Sequence, residues 1–281
     1  DEFNSATWNL DDGGSFAELL AKLTVDTSGR NALDPAFDSK NVAQYGLIIN
    51  SSGEGYGQTE WSWLTDTTGW RHIDELWGTQ YHYDDPRFMD TIQWYADMMA
   101  KGVIMPLELV TGLGGSAAFQ TGKGALHSQG SWMIGDFAKN TPFPFGFARL
   151  PQGPEGRRSM FNGLADSIWT GTKNPDQAWQ WVKFLASKEC ADIVGDAGVV
   201  FPAQQSGVDK AIAAYAARNL DVSAFTLQAT EPDGTFLFPV TDHASEISAI
   251  MRPVMDSILL GQAKAADILP AANQQINALF Q

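Results

Sequence analysis

The sequence predicts an α/β fold, because two kinds of local pattern alternate along its 281 residues. Apolar residues at helical spacing mark amphipathic helices, as in Phe16, Leu19, Leu20 and Leu23, or Phe88, Ile92, Tyr95, Ala96 and Met99. Short apolar runs at 45–49 and 125–127 read as strands. A hydrophobic content of 44% supplies a substantial core for one large domain or two.

Helix α-type entry signals open the chain. Ser15 and Glu18 have the spacing of a capping box ahead of the first apolar face. Residues 26–41 form a polar loop, and Asp26-Thr27-Ser28-Gly29-Arg30-Asn31 partly matches a calcium loop. It lacks the full ligand series and the closing bidentate Glu, so a structural turn is the favoured reading. The strand at 45–49 leads into 50–77, dense in Gly, Trp and acid. Asp85 then caps, Pro86 opens and Gly102 ends a helix. Gly112-Leu113-Gly114-Gly115 lacks the Lys-Ser/Thr end of a phosphate loop and serves as a flexible entry to the next helix. Residues 142–150, with Phe143, Phe145 and Phe147 alternating, and residues 161–170 read as strands. Asn174 and Pro175 open a helix whose Ala178, Trp181, Val182, Leu185 and Ala186 share a face. Residues 235–243 form a strand or extended loop. A final helix follows with Ile247, Ile250, Met251, Val254 and Ile258 on one face and Pro253 as a kink.

Composition excludes more than it names. A net charge of −15 argues against nucleic acid and anionic membrane surfaces, which need clustered Lys and Arg. One cysteine, Cys190, allows no internal disulfide and reads as a small buried hydrophobe. The apolar runs are too short for a membrane span. Ten tryptophans exceed what a core needs and fit a protein that lines a cleft with flat aromatic faces.

Residues 116–137, SAAFQTGKGALHSQGSWMIGDF, carry the most information. A helix passes Gly122-Lys123-Gly124 into the strand at 125–127, which breaks at Gly130 and presents Ser131 and Trp132. Such a strand end can build a wall of a ligand cleft, and an indole, apolar on its face and polar at its tip, suits sugars. A core tryptophan after a turn fits the same local pattern. Ala117, Ala118, Phe119, Gly122, Lys123, Ala125, Gly130 and Trp132 resemble the "AAF-x-x-GK-x-A … G-x-W" passage of the extracellular solute-binding proteins of ABC importers that bind sugars and oligosaccharides. Segments 16–38, 42–47, 85–102, 162–185 and 246–279 resemble other parts of that family, in the family's order.

The resemblance implies a type II periplasmic-binding-protein-like α/β fold, mainly the C-terminal lobe with a portion of the N-terminal lobe. Residues 1–161 would be the first part of the second lobe. Residues 162–205 would belong to the first lobe and hinge, and 206–281 would return to the second lobe with its closing helices. The chain opens on Asp1-Glu2-Phe3 without a signal peptide or most of a first lobe, so a fragment is expected. Apolar surface at Ile168, Trp169, Trp179 and Trp181 is then expected to stay exposed or to be covered by a second copy. The implied activity is binding of a sugar or oligosaccharide in an interlobe cleft for delivery to a membrane permease. No cofactor or metal is implied, and the location is extracytoplasmic, in a periplasm or on a lipid-anchored cell-surface protein.

The implied ligand-binding residues are Trp132, Tyr56, Trp61, Trp63, Asn162, Gly163, Asp166 and His243, with Phe238 and Asp242 beside the last. Tyr56, Trp61 and Trp63 follow a strand end, where ligands bind in open α/β sheets. Packing under the helix at 60–65 is the alternative for the two tryptophans. Asp166 could accept hydroxyl hydrogen bonds or hold a hinge backbone, and a lone histidine is more often structural. The four histidines lack metal spacing and no Gly-x-Ser-x-Gly elbow occurs. The competing function is a secreted glycoside hydrolase using two carboxylates across a cleft.

Overall fold

The structure, a computed structural model, describes residues 2–163 and 165–281. In chain order its first half contains α1 (Gly14–Leu23), β1 (Val25–Asp26), β2 (Val42–Ile48), α2 (Ser62–Thr65), α3 (Pro86–Ala100), α4 (Leu107–Leu113), α5 (Gly115–Gln120), β3 (Gly124–His127) and α6 (Ile134–Asn140). There follow β4 (Ser159–Phe161), α7 (Pro175–Leu185), α8 (Lys188–Ala197), α9 (Gln205–Ala216), α10 (Ser223–Thr230), β5 (Thr235–Leu237), α11 (Ala244–Leu259) and α12 (Ala265–Ala278). Two compact units result. Unit 1 is Asp1–Gln129, Ala148–Phe161 and Gln228–Gln281; unit 2 is Gly130–Phe147 and Asn162–Leu227. Residues 130–147 and 206–227 group with 162–205 in unit 2.

Unit 1 is built on β2. Its Val-Ala-Gln-Tyr-Gly-Leu-Ile run pairs antiparallel with β1 and parallel with β3, in register Tyr45↔Gly124 and Leu47↔Leu126. Ile104 adds a single parallel bridge to Leu47. Both faces are covered, which is why the strand end is continuously apolar rather than alternating. Leu47 and Ile49 belong to one core cluster with Phe16, Leu20, Phe88, Ile92, Met251, Ile258 and Leu269 from α1, α3, α11 and α12. Ile48 joins Met105, Val110 and Ala118 on the other side.

The entry chemistry of α3 follows the sequence: the Asp85 carboxylate accepts from Arg87 N at 2.8 Å, Pro86 occupies the first turn, and Gly102 (φ 71°) closes the end. The capping box at Ser15 does not form. Helix α1 starts two residues earlier than a Ser15 cap would set it, after Gly13, and Ser15 Oγ instead accepts from Thr7 N at 2.9 Å while Glu18 pairs with Lys22. Asp26 is a turn organiser. It accepts backbone N–H groups of Ser28, Arg30 and Asp38 at 2.8–3.0 Å and pairs with the Arg30 guanidinium. Desolvation raises its acidity threshold, but these donors win and hold the carboxyl down at about 2.

Two strand expectations fail. Residues 142–150 form no strand; Phe145 and Phe147 stack edge-on with each other, and Phe147 with Phe225, in place of ladder pairing. From 161–170 only Phe161 lies in a strand, because β4 pairs with β5 through Ser159↔Thr235 to Phe161↔Leu237 and no described neighbour extends the ladder; Leu164 lies outside the described residues.

Unit 2 is helical, with α8 against α9 and a small core of Ile134, Ala211, Tyr215 and Val222. Gly195 and Gly207 let these helices touch, since a Cβ at either would collide with the other's backbone. The apolar face of α7 forms as the periodicity predicts, yet none of its residues is buried. Cys190 is half-buried rather than sealed in the core.

Candidate ligand-binding surfaces

Each unit carries part of the set singled out from sequence, and each is described by itself. In unit 1, β2 ends at Ile48 and the chain turns through Gly53 and Gly57 into α2. Gly57 has φ 54°, and a Cβ there would fall inside the Trp61 indole, so only glycine permits the ring to lie on the loop backbone. Trp61 is 1% exposed; its Nε1–H donates to Ser52 O at 3.0 Å and its ring packs on His72 and Phe88. Trp63 is buried too, donating to Thr59 O at 3.2 Å with Phe16 and Tyr95 edge-on to its ring. Both tryptophans pack as core, and the loop above them draws its shape from that packing.

Tyr56 is buried at the ring and donates from its hydroxyl to Ala244 O at 3.2 Å, tying the loop to the first turn of α11. Burial pushes this hydroxyl well above the ordinary tyrosine range. Its ring packs at a tilt against Phe238, centroids 4.9 Å apart. His243 immediately precedes α11 in a left-handed conformation (φ 59°), exposed, with Nδ1 3.7 Å from Glu246 and its ring against Phe280. Unit 1 thus brings Tyr56, Phe238 and the start of α11 together. Glu60, buried beside them in sequence, accepts from Thr59 N at 3.1 Å and Ser51 Oγ at 3.3 Å; burial pushes its carboxyl up. His72 is sealed below. Its Nε2–H donates to Tyr56 O at 3.1 Å, and burial pushes its pKa down to about 3.

In unit 2, Gly130 accepts from Met133 N at 3.0 Å in a short 3-10 turn, Ser131–Met133, that leads into α6. The Trp132 indole folds back over Gly130, where a Cβ would overlap the ring, and 46% of the residue remains exposed. The Gly-x-Trp spacing therefore has a steric cause: the small residue is the seat of the ring. Asn162, Gly163 and Asp166 are all exposed on one irregular segment.

Sequence reasoning did not single out the Trp77 loop or the Glu54–Arg252 ion pair as functional. The signal for the first was available: an aromatic followed by Gly78 inside a polar, acidic stretch. Among the described residues no group of three or more His, Cys, Asp or Glu could hold a metal ion. No helix of the described residues is long and apolar enough to cross a membrane.

These features define a class of protein that the comparisons make specific. The chain belongs to the bacterial extracellular solute-binding protein family, whose model matches residues 16–191. Its fold is that of periplasmic solute-binding proteins. The crystal structure of Mycobacterium tuberculosis UspC matches with a TM-score of 0.80 and 26% identity, over 98% of this chain and 67% of that one. A Listeria monocytogenes ABC substrate-binding protein in complex with cycloalternan matches at TM-score 0.72 and 17% identity, over 98% and 64%. The GacH receptor of Streptomyces glaucescens, solved unliganded and with acarbose, matches at 0.65 and 18%, over 86% and 61%. The chain spans about two thirds of the length of the first two. No curated protein matches it. The family is extracellular and consists of binding proteins rather than enzymes.

Proposed function

We propose that this chain is part of the solute-binding component of an ABC importer. It binds a sugar or oligosaccharide outside the cytoplasm and delivers it, unaltered, to the transmembrane subunits of a permease. Family membership over 16–191 carries this reading. Support comes from the carbohydrate ligands named for the Listeria and Streptomyces neighbours. In this reading unit 1 is mainly the second lobe and unit 2 belongs with the first lobe and hinge, and the parent protein is tethered to the cell surface by a lipid anchor or held in a periplasm. On unit 2, Trp132 supplies a stacking face and Asn162, Gly163 and Asp166 supply polar groups to sugar hydroxyls; on unit 1, His243 supplies another polar group. Tyr56 shapes the wall through its bond to α11, with Trp61 and Trp63 as its foundation. Function as a carrier rather than a hydrolase is tested by incubating the protein with mono- to hexasaccharides. Saturable heat of binding without new reducing ends is expected; turnover, or no binding to any saccharide, overturns the proposal.

A further inference from the structure

Residues 73–81 form a loop closed at its base by an antiparallel bridge between Ile73 and Tyr81, with His82 N donating to His72 O at 3.2 Å. Its tip turns at Gly78, whose N–H donates to Glu75 O at 3.0 Å. Trp77 sits there with φ 61°, a conformation that a bulky residue seldom adopts. The strain is held by one bond, Trp77 N to Val240 O at 2.7 Å. The cost does not bury the ring: Trp77 is 63% exposed. Strained, non-glycine positions persist where surrounding structure over-determines them, and such positions cluster at ligand clamps. The anchoring residue, Val240, lies three positions before His243, so the loop is bonded to the segment that carries a residue of the proposed sugar site.

A cavity of about 230 Å³ adjoins the loop within unit 1. Leu76, Asp74, Glu75 and Arg71 line one part of it, and Phe236 and Phe238 another. Arg71 is held from behind: its Nη1 donates to Oδ1 of the buried Asp66 carboxyl group at 3.2 Å and to Asp66 O and Trp70 O. The guanidinium is partly exposed, and its other N–H groups carry no hydrogen bond to the described residues. The volume suits one small polar ring rather than a drug-sized molecule. Carboxylate acceptors, a guanidinium donor and aromatic faces are the groups that recognise a pyranose, which presents hydroxyls at its rim and C–H groups on its faces.

We propose that the 73–81 loop is an outer carbohydrate subsite, in which Arg71, Asp74 and Glu75 hydrogen-bond the hydroxyls of one sugar ring in the pocket, and the Trp77 indole, outside the pocket lining and next in sequence to its lining residue Leu76, stacks on the adjoining ring. This rests on the sugar-binding reading above and deepens it: the preferred ligand is an oligosaccharide long enough to reach beyond the inner residues, not a monosaccharide. Backbone strain is retained at Trp77 because it holds the ring out for that contact.

The test is a glycan array of mono- to hexasaccharides followed by calorimetry on the best binder and on its shorter fragments. Trp77→Ala and Trp77→Phe are compared with the parent chain, and Glu75→Gln is a milder probe. Trp77→Ala is expected to weaken the longer glycan about tenfold, which is about 1.4 kcal/mol. The shortest bound fragment should be unaffected, and Trp77→Phe should retain most of the affinity. Equal affinity of Trp77→Ala and the parent for every glycan overturns the subsite while leaving the sugar-binding reading intact. So does an equal loss for all lengths, which marks Trp77 as structural. Absence of any bound glycan in the parent overturns both. Thermal unfolding of each variant checks folding, and Trp77→Gly, which relieves the positive φ, should melt no lower than Trp77→Ala.

Discussion

Gly130→Ala separates stability from binding at the Gly-x-Trp turn. Gly130 has φ −82°, open to any residue, so alanine brings no backbone strain. Its Cβ would occupy the space of the Trp132 six-membered ring. The indole must swing off its seat, and because it is nearly half exposed it can do so into solvent. Stability should change by only about 0.5 kcal/mol. Binding should not be spared. The exposed part of the ring offers ~100 Å², a ceiling of ~2.5 kcal/mol at ~25 cal/mol per Å². Contact through one face realises about half of that, so the expected loss runs from about tenfold to about seventyfold in affinity. Calorimetric titration with the sugar identified by screening measures the effect, and Trp132→Ala sets its limit. If Gly130→Ala binds as tightly as the parent while Trp132→Ala does not, the folded-back ring is not the binding conformation and the reasoning fails. If both bind normally, Trp132 is not a ligand residue.

Gly57→Ala should cost ~2–5 kcal/mol, from ~1–2 for a left-handed alanine and ~1–3 for overlap with Trp61. Gly29→Ala, also at positive φ but facing open space, should cost only the first part; equal urea-midpoint shifts would remove the Trp61 contact as the cause. His72 should contribute a loss of stability on acidification between pH ~6.5 and ~3. There the unfolded chain protonates His72 while the buried native ring, held down at about 3, does not, a difference of a few kcal/mol. Asp26, also held down, gives a loss of the same sign below pH ~3.8, fully present as stability above it. Asp66 acts oppositely: burial pushes it up to about 8 against the pull of Arg71, so its contribution declines as pH rises from ~4 towards 8. Between pH ~6.5 and ~4 the His72 and Asp66 contributions oppose each other, so His72→Gln should leave the Asp66 slope uncovered and make stability fall more steeply as pH rises in pH-dependent urea melts; a slope equal to the parent's refutes the assignment. Finally, Trp169, Trp179 and Trp181 are each more than half exposed, so this chain should bind hydrophobic dye or self-associate, and Trp179→Ser with Trp181→Ser should reduce both. A clean monomer by light scattering with little dye bound refutes this.

Much of the fold was legible because local chemistry and tertiary packing agree along unit 1. The Asp85-Pro86 entry and Gly102 exit of α3, the apolar run of β2, and the 119–127 passage into β3 all form where their residues predict. Where sequence misled, a second partner outcompeted the local one. Ser15 bonds Thr7 rather than capping its own helix. Alternating phenylalanines at 143–147 looked like a strand, but alternation cannot reveal whether a neighbouring strand exists to receive the backbone. Helix α7 shows the same gap from the other side, since periodicity predicts an apolar face but not what covers it.

Residue types and spacings alone determined that this chain is an α/β protein rich in indoles and without basic runs, and the resemblance carried by residues such as Gly122, Lys123, Gly130 and Trp132 pointed to the solute-binding family. Only the tertiary structure decided which indoles are available. Trp61 and Trp63 lie in the same acidic, glycine-rich stretch as Trp77, yet two are sealed beneath the loop and the third is held out from it. The physical reason is that burial is a property of the surroundings. A tryptophan's own sequence carries its appetite for an apolar neighbour, and the packing of α1, α3 and α11 settles which of them is satisfied.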